Sequence, residues 1–345
     1  MGWAGHQHAD AYAELPGVEL AGIAGLEEPV RAALAAKHGV ERHVASWEEL
    51  LEDDSLDVVS VAVPTFLHAP IAIAALERGL HVLSEKPIAR TVEEAEAMLA
   101  AARASGKVLD VAFNHRRRGD IQTLKRVVDE GRLGRIYYTK AWWLRRTGIP
   151  TLGSWFTNAD QAGGGPLVDI GIHVLDYALH LLGQPTVTTA SASTFDLLGT
   201  AGFGSATNHK AKSGTGGGFD VEDLATAFLR LDDGGTLFLE ASWATHRTAG
   251  DEFGITLFGT EGGADLRVVD MEDIGTLKLF TDEAGVAAET VLSAPPSGRH
   301  LRVVEEFLET VRNGSGGDGP LAVELARVVD ACYRSARERR EVTFA

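Results

Sequence analysis

A chain of 345 residues, 45% hydrophobic and 23% charged, carries enough apolar material for two cores, which excludes a disordered protein. Its 49 acidic against 32 basic side chains leave a formal net charge of −17, which argues against nucleic acid or an anionic membrane as partner and for a small molecule. No stretch reaches the ~18 consecutive apolar residues of a membrane span and no basic-then-apolar leader opens the chain, so the expected location is the cytoplasm.

The chain opens on Gly2-Trp3-Ala4-Gly5, which reads as the inside of a glycine-rich turn leading into a helix over 6–15 and a strand over 18–24. That is a β-α-β unit whose first strand is missing. Apolar runs then alternate with helical patterns: helix 28–38, strand 57–63, helix 67–79, strand 80–83, helix 92–105, strand 107–113. This rhythm predicts a parallel sheet wrapped by helices. Strand 57–63 has almost no polar alternation, which places it in the middle of that sheet.

After a helix at 120–131 the period changes to two. Segments 225–230 and 236–243 flank Asp232-Asp233-Gly234-Gly235, a hairpin signal because the turn needs positive φ. A second hairpin is expected from 254–258 and 264–268. This half reads as a largely antiparallel sheet with one open face. Leu237, Leu239, Ala241 and Trp243 lie on one side of its strand 236–243, Phe238 and Ser242 on the other. Helices at 300–312 and 321–338, joined by the flexible glycine-rich 313–319, close the chain. The single cysteine, Cys332, excludes an internal disulfide and any Cys-cluster metal site, and is expected to be a small apolar residue in a helix. The Gly/Ser-rich stretch 199–218 reads as a mobile functional loop or, as the safer reading, a disordered insert. The fold class is α/β, with domains at 1–118 and 119–345.

Two stretches carry chemistry. Ser84-Glu85-Lys86-Pro87 directly follows the strand 80–83, which puts a lysine at the carboxyl end of a parallel strand, where open α/β sheets bind ligands. A desolvated lysine there can hydrogen-bond a substrate hydroxyl; the competing reading is a surface lysine paired with Glu85. In Gly163-Gly164-Gly165-Pro166-Leu167-Val168-Asp169-Ile170-Gly171-Ile172-His173 the three glycines permit a close backbone approach, and Pro166 suits a helix's first turn. Asp169, His173 and Asp176, at i, i+4 and i+7, share one helical face, so Asp169 can orient an imidazole suited to acid/base work near neutrality. A polar face satisfied by its own hydrogen bonds is the alternative. No metal is expected, since no third ligand is placed by spacing. Gly171, inside the helix, implies that something comes near.

These stretches, in order with Val63-Pro64-Thr65-Phe66-Leu67-His68, Asn114-His115-Arg116, Glu222-Asp223 and Phe258-Gly259-Thr260-Glu261-Gly262-Gly263, give a chain that over nearly its whole length resembles the Gfo/Idh/MocA family of nicotinamide-dependent sugar and cyclitol oxidoreductases. The resemblance implies a Rossmann domain followed by an α+β domain whose open sheet builds homodimers or homotetramers. It implies Lys86, Asp169 and His173 as catalytic. Near the cofactor it places Pro64, Thr65, His68, Glu85, Lys86 and Asn114, with Gly2, Trp3, Ala4 and Gly5 in the phosphate turn. The family's usual strand and G-x-G-x-x-G are present only from Met1 onward; the expectation is that the true start lies upstream, the competing reading being a truncation that impairs cofactor binding. Gly25 stands where an acidic residue commonly grips the ribose, but Glu27 and Glu28 follow and would repel a 2′-phosphate, so NAD is expected, with NADP possible and Arg31 the nearest competing cation.

The expected reaction is reversible hydride transfer from a secondary alcohol of a sugar, cyclitol or related polyol. His173 is the base, Lys86 polarises the oxygen, and Arg116, Arg146, Trp155 and Phe156 line the substrate beside Asp169 and His173. Arg117 and Arg145 are further candidates. An NAD-requiring glycoside hydrolase and a non-catalytic sensor are the alternatives.

Overall fold

The computed structural model describes residues 2–204, 218–247, 250–314 and 317–344, so most of the 199–218 stretch, Met1 and part of the 313–319 linker lie outside the described residues. The chain divides into two compact units, Met1–Asn114 with Gly298–Ala326 and His115–Ser297 with Arg327–Ala345. Among the described residues no helix is long and apolar enough to cross a membrane.

In the first unit α1 (Trp3–Glu14) starts earlier than the expected residue 6, so Gly5 is buried in its first turn. There follow β1 (Gly22–Ala24), α2 (Glu28–His38), β2 (Arg42–Val44), α3 (Trp47–Leu50), β3 (Val58–Val61), α4 (His68–Glu77), β4 (His81–Ser84), α5 (Val92–Ser105) and β5 (Leu109–Val111). Local chemistry sets the helix ends. Thr91 accepts the Glu94 N–H at the start of α5, and left-handed Gly39 and Gly106 close α2 and α5. All strand pairs are parallel, as the alternating pattern predicts, but they form two sheets, β1-β2 and β3-β4-β5.

The strand expected in the middle, β3, is therefore an edge. Its residues Val58, Val59 and Ser60 are only half-buried, whereas Val82, Leu83 and Ser84 of β4 are fully buried. In the doubly wound order 3-2-1-4-5-6, the strand preceding the first helix lies between the equivalents of β1 and β3, and among the described residues none pairs there.

The second unit comprises α6 (Gly119–Asp129), β6 (Ile136–Arg145), α7 (Ala159–Ala162), a π-helical turn Leu167–Gly171 running into α8 (Ile172–Leu181), and strands β7 (Val187–Phe195), β8 (Leu224–Leu231), β9 (Thr236–Ser242), β10 (Asp251–Gly259), β11 (Gly263–Val269), β12 (Thr276–Glu283) and β13 (Val286–Leu292). Both expected hairpins form, β8-β9 around Gly234 at φ +82° and β10-β11. With β14 (Val342–Thr343) the sheet runs β13-β12-β11-β10-β6-β9-β8-β7-β14, antiparallel except for the β6-β9 pair. Leu237, Leu239, Ala241 and Trp243 are buried on one face while Phe238 on the other is half-buried. Ser242 departs from the alternation: it is fully buried because its hydroxyl is satisfied by the Asp223 carbonyl at 2.8 Å.

Two helices close the chain, α9 (Arg299–Asn313) and α10 (Gly319–Glu338). The apolar face of α9 (Val303, Val304, Phe307, Leu308) packs with Ala11, Tyr12, Leu83, Val108 and Ala112, which returns this segment to the first unit. Cys332 lies in α10, 1% exposed, and burial pushes its thiol up to about 12. A chromogenic disulfide reagent is accordingly expected to leave the native chain unmodified and to titrate one thiol on unfolding; native labelling at the rate of free cysteine would contradict this placement.

Candidate functional site

In the first unit, the sequence-predicted cofactor residues gather at the carboxyl ends of the parallel strands. Pro64 and Thr65 follow β3, Glu85 and half-buried Lys86 follow β4 across a cis Lys86-Pro87 bond, and Asn114 follows β5. Asn114 Oδ1 is buried without a hydrogen-bond partner among the described residues, an acceptor left open in this row. His68, 1% exposed, holds the row from behind: its ring nitrogens lie 2.9 Å from the Val63 and Pro87 carbonyl oxygens, and the N–H of the neutral ring is donated to one of them. Burial lowers its pKa.

Glu85 is turned inward. Its Oε1 lies 3.1 Å from His8 Nε2 and 3.4 Å from His300 Nε2, while Oε2 accepts the Lys86 N–H at 3.1 Å. Burial alone would push this carboxyl up, but the two imidazoles outweigh it and hold it well below the usual range. Glu85 thus meets both imidazoles through one oxygen and the Lys86 backbone N–H through the other.

The turn after β1 bears on the choice of dinucleotide. Arg31 is buried and its guanidinium donates to the Gly25 carbonyl at 2.5 Å, whereas Glu27 and Glu28 are exposed.

In the second unit, Asp169 lies in the π-helical turn and His173 in the first turn of α8. The expected plain α-helix thus starts with a wider turn, a form frequent at functional positions. Gly171 permits it: a Cβ there would stand 3.0 Å from that of Ala241 on β9. Asp169 Oδ2 accepts the Trp243 indole N–H at 2.9 Å, so the residue that follows β9 fixes the carboxylate. The His173 ring, 6% exposed, packs 4.5 Å from that of His115 and 6.0 Å from Trp143, which lies 4.7 Å from Phe253.

The substrate-wall residues divide. Trp155 and Phe156 are half-buried and stacked at 3.8 Å, and Arg146 is half-buried, donating to the Thr245 carbonyl beside His246. Arg116 is buried, and its Nε and Nη2 form a bidentate pair with Asp176 at 3.0 and 2.5 Å, which ties the guanidinium to structure. Arg117 is buried as well, and Arg145 donates to Asp251 at 2.9 Å and covers the Trp143 ring.

Glu222 closes the glycine run. Its carboxylate accepts the Gly165 and Leu167 N–H groups at 2.9 and 3.0 Å and the Tyr333 hydroxyl at 2.9 Å, while burial raises its pKa. The close approach implied by the glycines is real: a Cβ on Gly164 would lie 2.0 Å from the Tyr333 hydroxyl, and one on Gly165 2.1 Å from the Glu222 carbonyl. Gly165→Ala is therefore expected to cost about 1–3 kcal/mol, since a backbone atom cannot swing aside. A lowered urea midpoint at unchanged slope is the readout, and an unshifted midpoint would rule out the contact.

His115, Trp143, Trp243, Phe253 and Tyr333 received no role from sequence. Only His115, beside Asn114 in a recognisable motif, carried a signal.

Residues 1–113 match the family described as oxidoreductase family, NAD-binding Rossmann fold, and residues 121–265 match the GFO/IDH/MocA C-terminal domain. The chain is 34% identical to D-glucoside 3-dehydrogenase of Escherichia coli (strain K12) over 95% of its own length and 91% of the relative's. It is 32% identical to levoglucosan dehydrogenase of Pseudarthrobacter phenanthrenivorans over 97% and 94%. Among solved structures, levoglucosan dehydrogenase in complex with NADH and L-sorbose superposes with a TM-score of 0.84 at 26% identity, covering 100% of this chain and 96% of that one.

Proposed function

The chain belongs to the Gfo/Idh/MocA family of oxidoreductases, and from that membership we propose that it oxidises a secondary hydroxyl of a sugar, cyclitol or related polyol with NAD. The observation that carries this reading is the polar row at the carboxyl ends of β3, β4 and β5, with the Asn114 acceptor left open, which fits a nicotinamide dinucleotide. When bound, NAD supplies the hydride acceptor. Pro64, Thr65, Lys86 and Asn114 border it, with Gly2, Trp3, Ala4 and Gly5 at the phosphate end, where the first N–H groups of α1 are free of helical partners. His68 and Glu85 act behind that row. Exposed Glu27 and Glu28 favour NAD over NADP by charge.

On the substrate side His173 removes the hydroxyl proton, Asp169 is held for its task by the Trp243 N–H, and Lys86 donates a hydrogen bond to the substrate oxygen as negative charge grows there. Trp155 and Phe156 offer faces suited to a sugar ring, and Arg146 a donor for its hydroxyls. Glucosides and levoglucosan, named by relatives, head the substrate panel, followed by free sugars and inositols. NADH formation with at least one of them is the expected result. Release of an aglycone without net NADH would replace the reading with glycoside hydrolysis, and binding without either would make the chain a sensor.

The same proposal includes a cytoplasmic location and a homodimer or homotetramer. The face of the large sheet carrying Tyr138, Lys140, Phe238 and Phe258 supports assembly, since stacked Tyr138 and Phe258 put apolar area there. Light scattering at micromolar concentration is expected to return a multiple of 36.7 kDa, and a mass of 36.7 kDa would count against it.

A further inference from the structure

Three ionisable side chains from distant stretches converge inside the first unit: His8 from α1, Glu85 from the end of β4 and His300 from α9, all buried. One ligand atom from each lies within 4.8 Å of the others. His8 Nε2 and His300 Nε2 both face the same oxygen, Glu85 Oε1, at 3.1 and 3.4 Å. The 3.1 Å contact lies at the upper end of N–H···O distances and the 3.4 Å contact beyond it. Both also suit the edges of a tetrahedron with bonds of about 2.0–2.1 Å, whose ligand atoms stand about 3.3–3.4 Å apart.

Around His8 the surroundings are those of a metal site as well, while Nδ1 of His300 is buried without a hydrogen-bond partner among the described residues. With Nε2 as ligand, His8 carries its proton on Nδ1, which lies 2.9 Å from the Ser60 hydroxyl, itself 3.1 Å from the Tyr12 hydroxyl. The second oxygen of Glu85 is occupied by the Lys86 N–H, leaving Oε1 as the ligand atom. His300 is packed edge-on against Trp3 at 5.1 Å.

We propose that His8, Glu85 and His300 form a buried three-ligand site for a divalent late transition metal, zinc foremost. Two imidazoles and one carboxylate are borderline ligands that suit zinc over magnesium or calcium, and three protein ligands leave a fourth position for water or another small ligand. The ion clips α1, the β4 end and α9 together and holds the residue next to Lys86. Sequence spacing revealed nothing of this, because no two of the three ligands share an element.

The test titrates the full chain, stripped with a chelator, with Co2+ and then Zn2+. One equivalent of Co2+ is expected to give the strong visible absorption of a four-coordinate centre, to be displaced by Zn2+, and to raise the melting temperature. His8→Ala and His300→Ala, each shown to be folded by circular dichroism, are expected to weaken Co2+ binding by about 100-fold or more. His246→Ala, outside the cluster, leaves it unchanged. Should an alanine variant unfold, the isosteric Glu85→Gln takes its place, with weakening of about 10-fold or more. Absence of a one-equivalent transition in the wild type, or absorption that persists in the folded variants, overturns the site. The readout is metal binding, so it stands apart from the success or failure of the proposed dehydrogenase activity.

Discussion

Replacing His173 by alanine is expected to lower turnover by about 100-fold or more while the second unit stays folded, because a positioned acid/base group contributes 10²- to 10⁴-fold. Lys86→Ala is expected to lose a similar factor by a different route, the loss of a donor to the substrate oxygen where charge develops. The two separate experimentally. Without the base, the rate falls at every pH near neutrality and an added small imidazole restores part of it. Without the lysine, added primary amine is the rescuer. His173 packs between aromatic rings, 4.5 Å from His115, so its alanine variant leaves a hole, and thermal melting must accompany the kinetics. Near-wild-type turnover in either variant, with a substrate that the parent oxidises, would remove that residue from the reaction.

How much of this was legible in the sequence follows from the range of the interactions. The position of Lys86 just after β4 was legible because the strand before it is local, and a residue after a parallel strand has only one place to go. The helical stretch that carries Asp169 and His173 was legible from a four-residue spacing, yet the π-helical turn within it was not, since over five residues helical periods of 3.6 and 4.4 leave the same trace. The partners that give these residues their chemistry lie far along the chain: Trp243 for Asp169, Arg116 for Asp176, Glu222 and Tyr333 for the glycine run. Periodicity carries nothing about such pairs. The edge position of β3 has a related cause, since Val58 to Val61 are as apolar as a central strand requires, and only the pairing of neighbours decides whether both edges are filled. The return of α9 to the first unit was hidden in the same way, its amphipathic stripe being readable but not the core that it covers.

Asp176→Ala is expected to destabilise the second unit strongly, by about 3–5 kcal/mol, because it removes the bidentate carboxylate partner of a buried guanidinium. Arg116 and Asp176 are 8% and 1% exposed, and the bidentate bond is what compensates the guanidinium for leaving water. Removing the carboxylate takes that compensation away, whereas removing both charges also removes the guanidinium that needed it. The double variant Arg116→Met with Asp176→Leu, of similar volume, should therefore recover most of the loss, and urea unfolding of the single and double variants measures the difference. Recovery of stability with an unchanged KM would make Arg116 a support for α8 alone. Recovery of stability with a KM raised tenfold or more would keep Arg116 in the substrate wall. A single variant as stable as the parent would show that the pair is exposed to water in solution and would withdraw the buried-charge account of this helix.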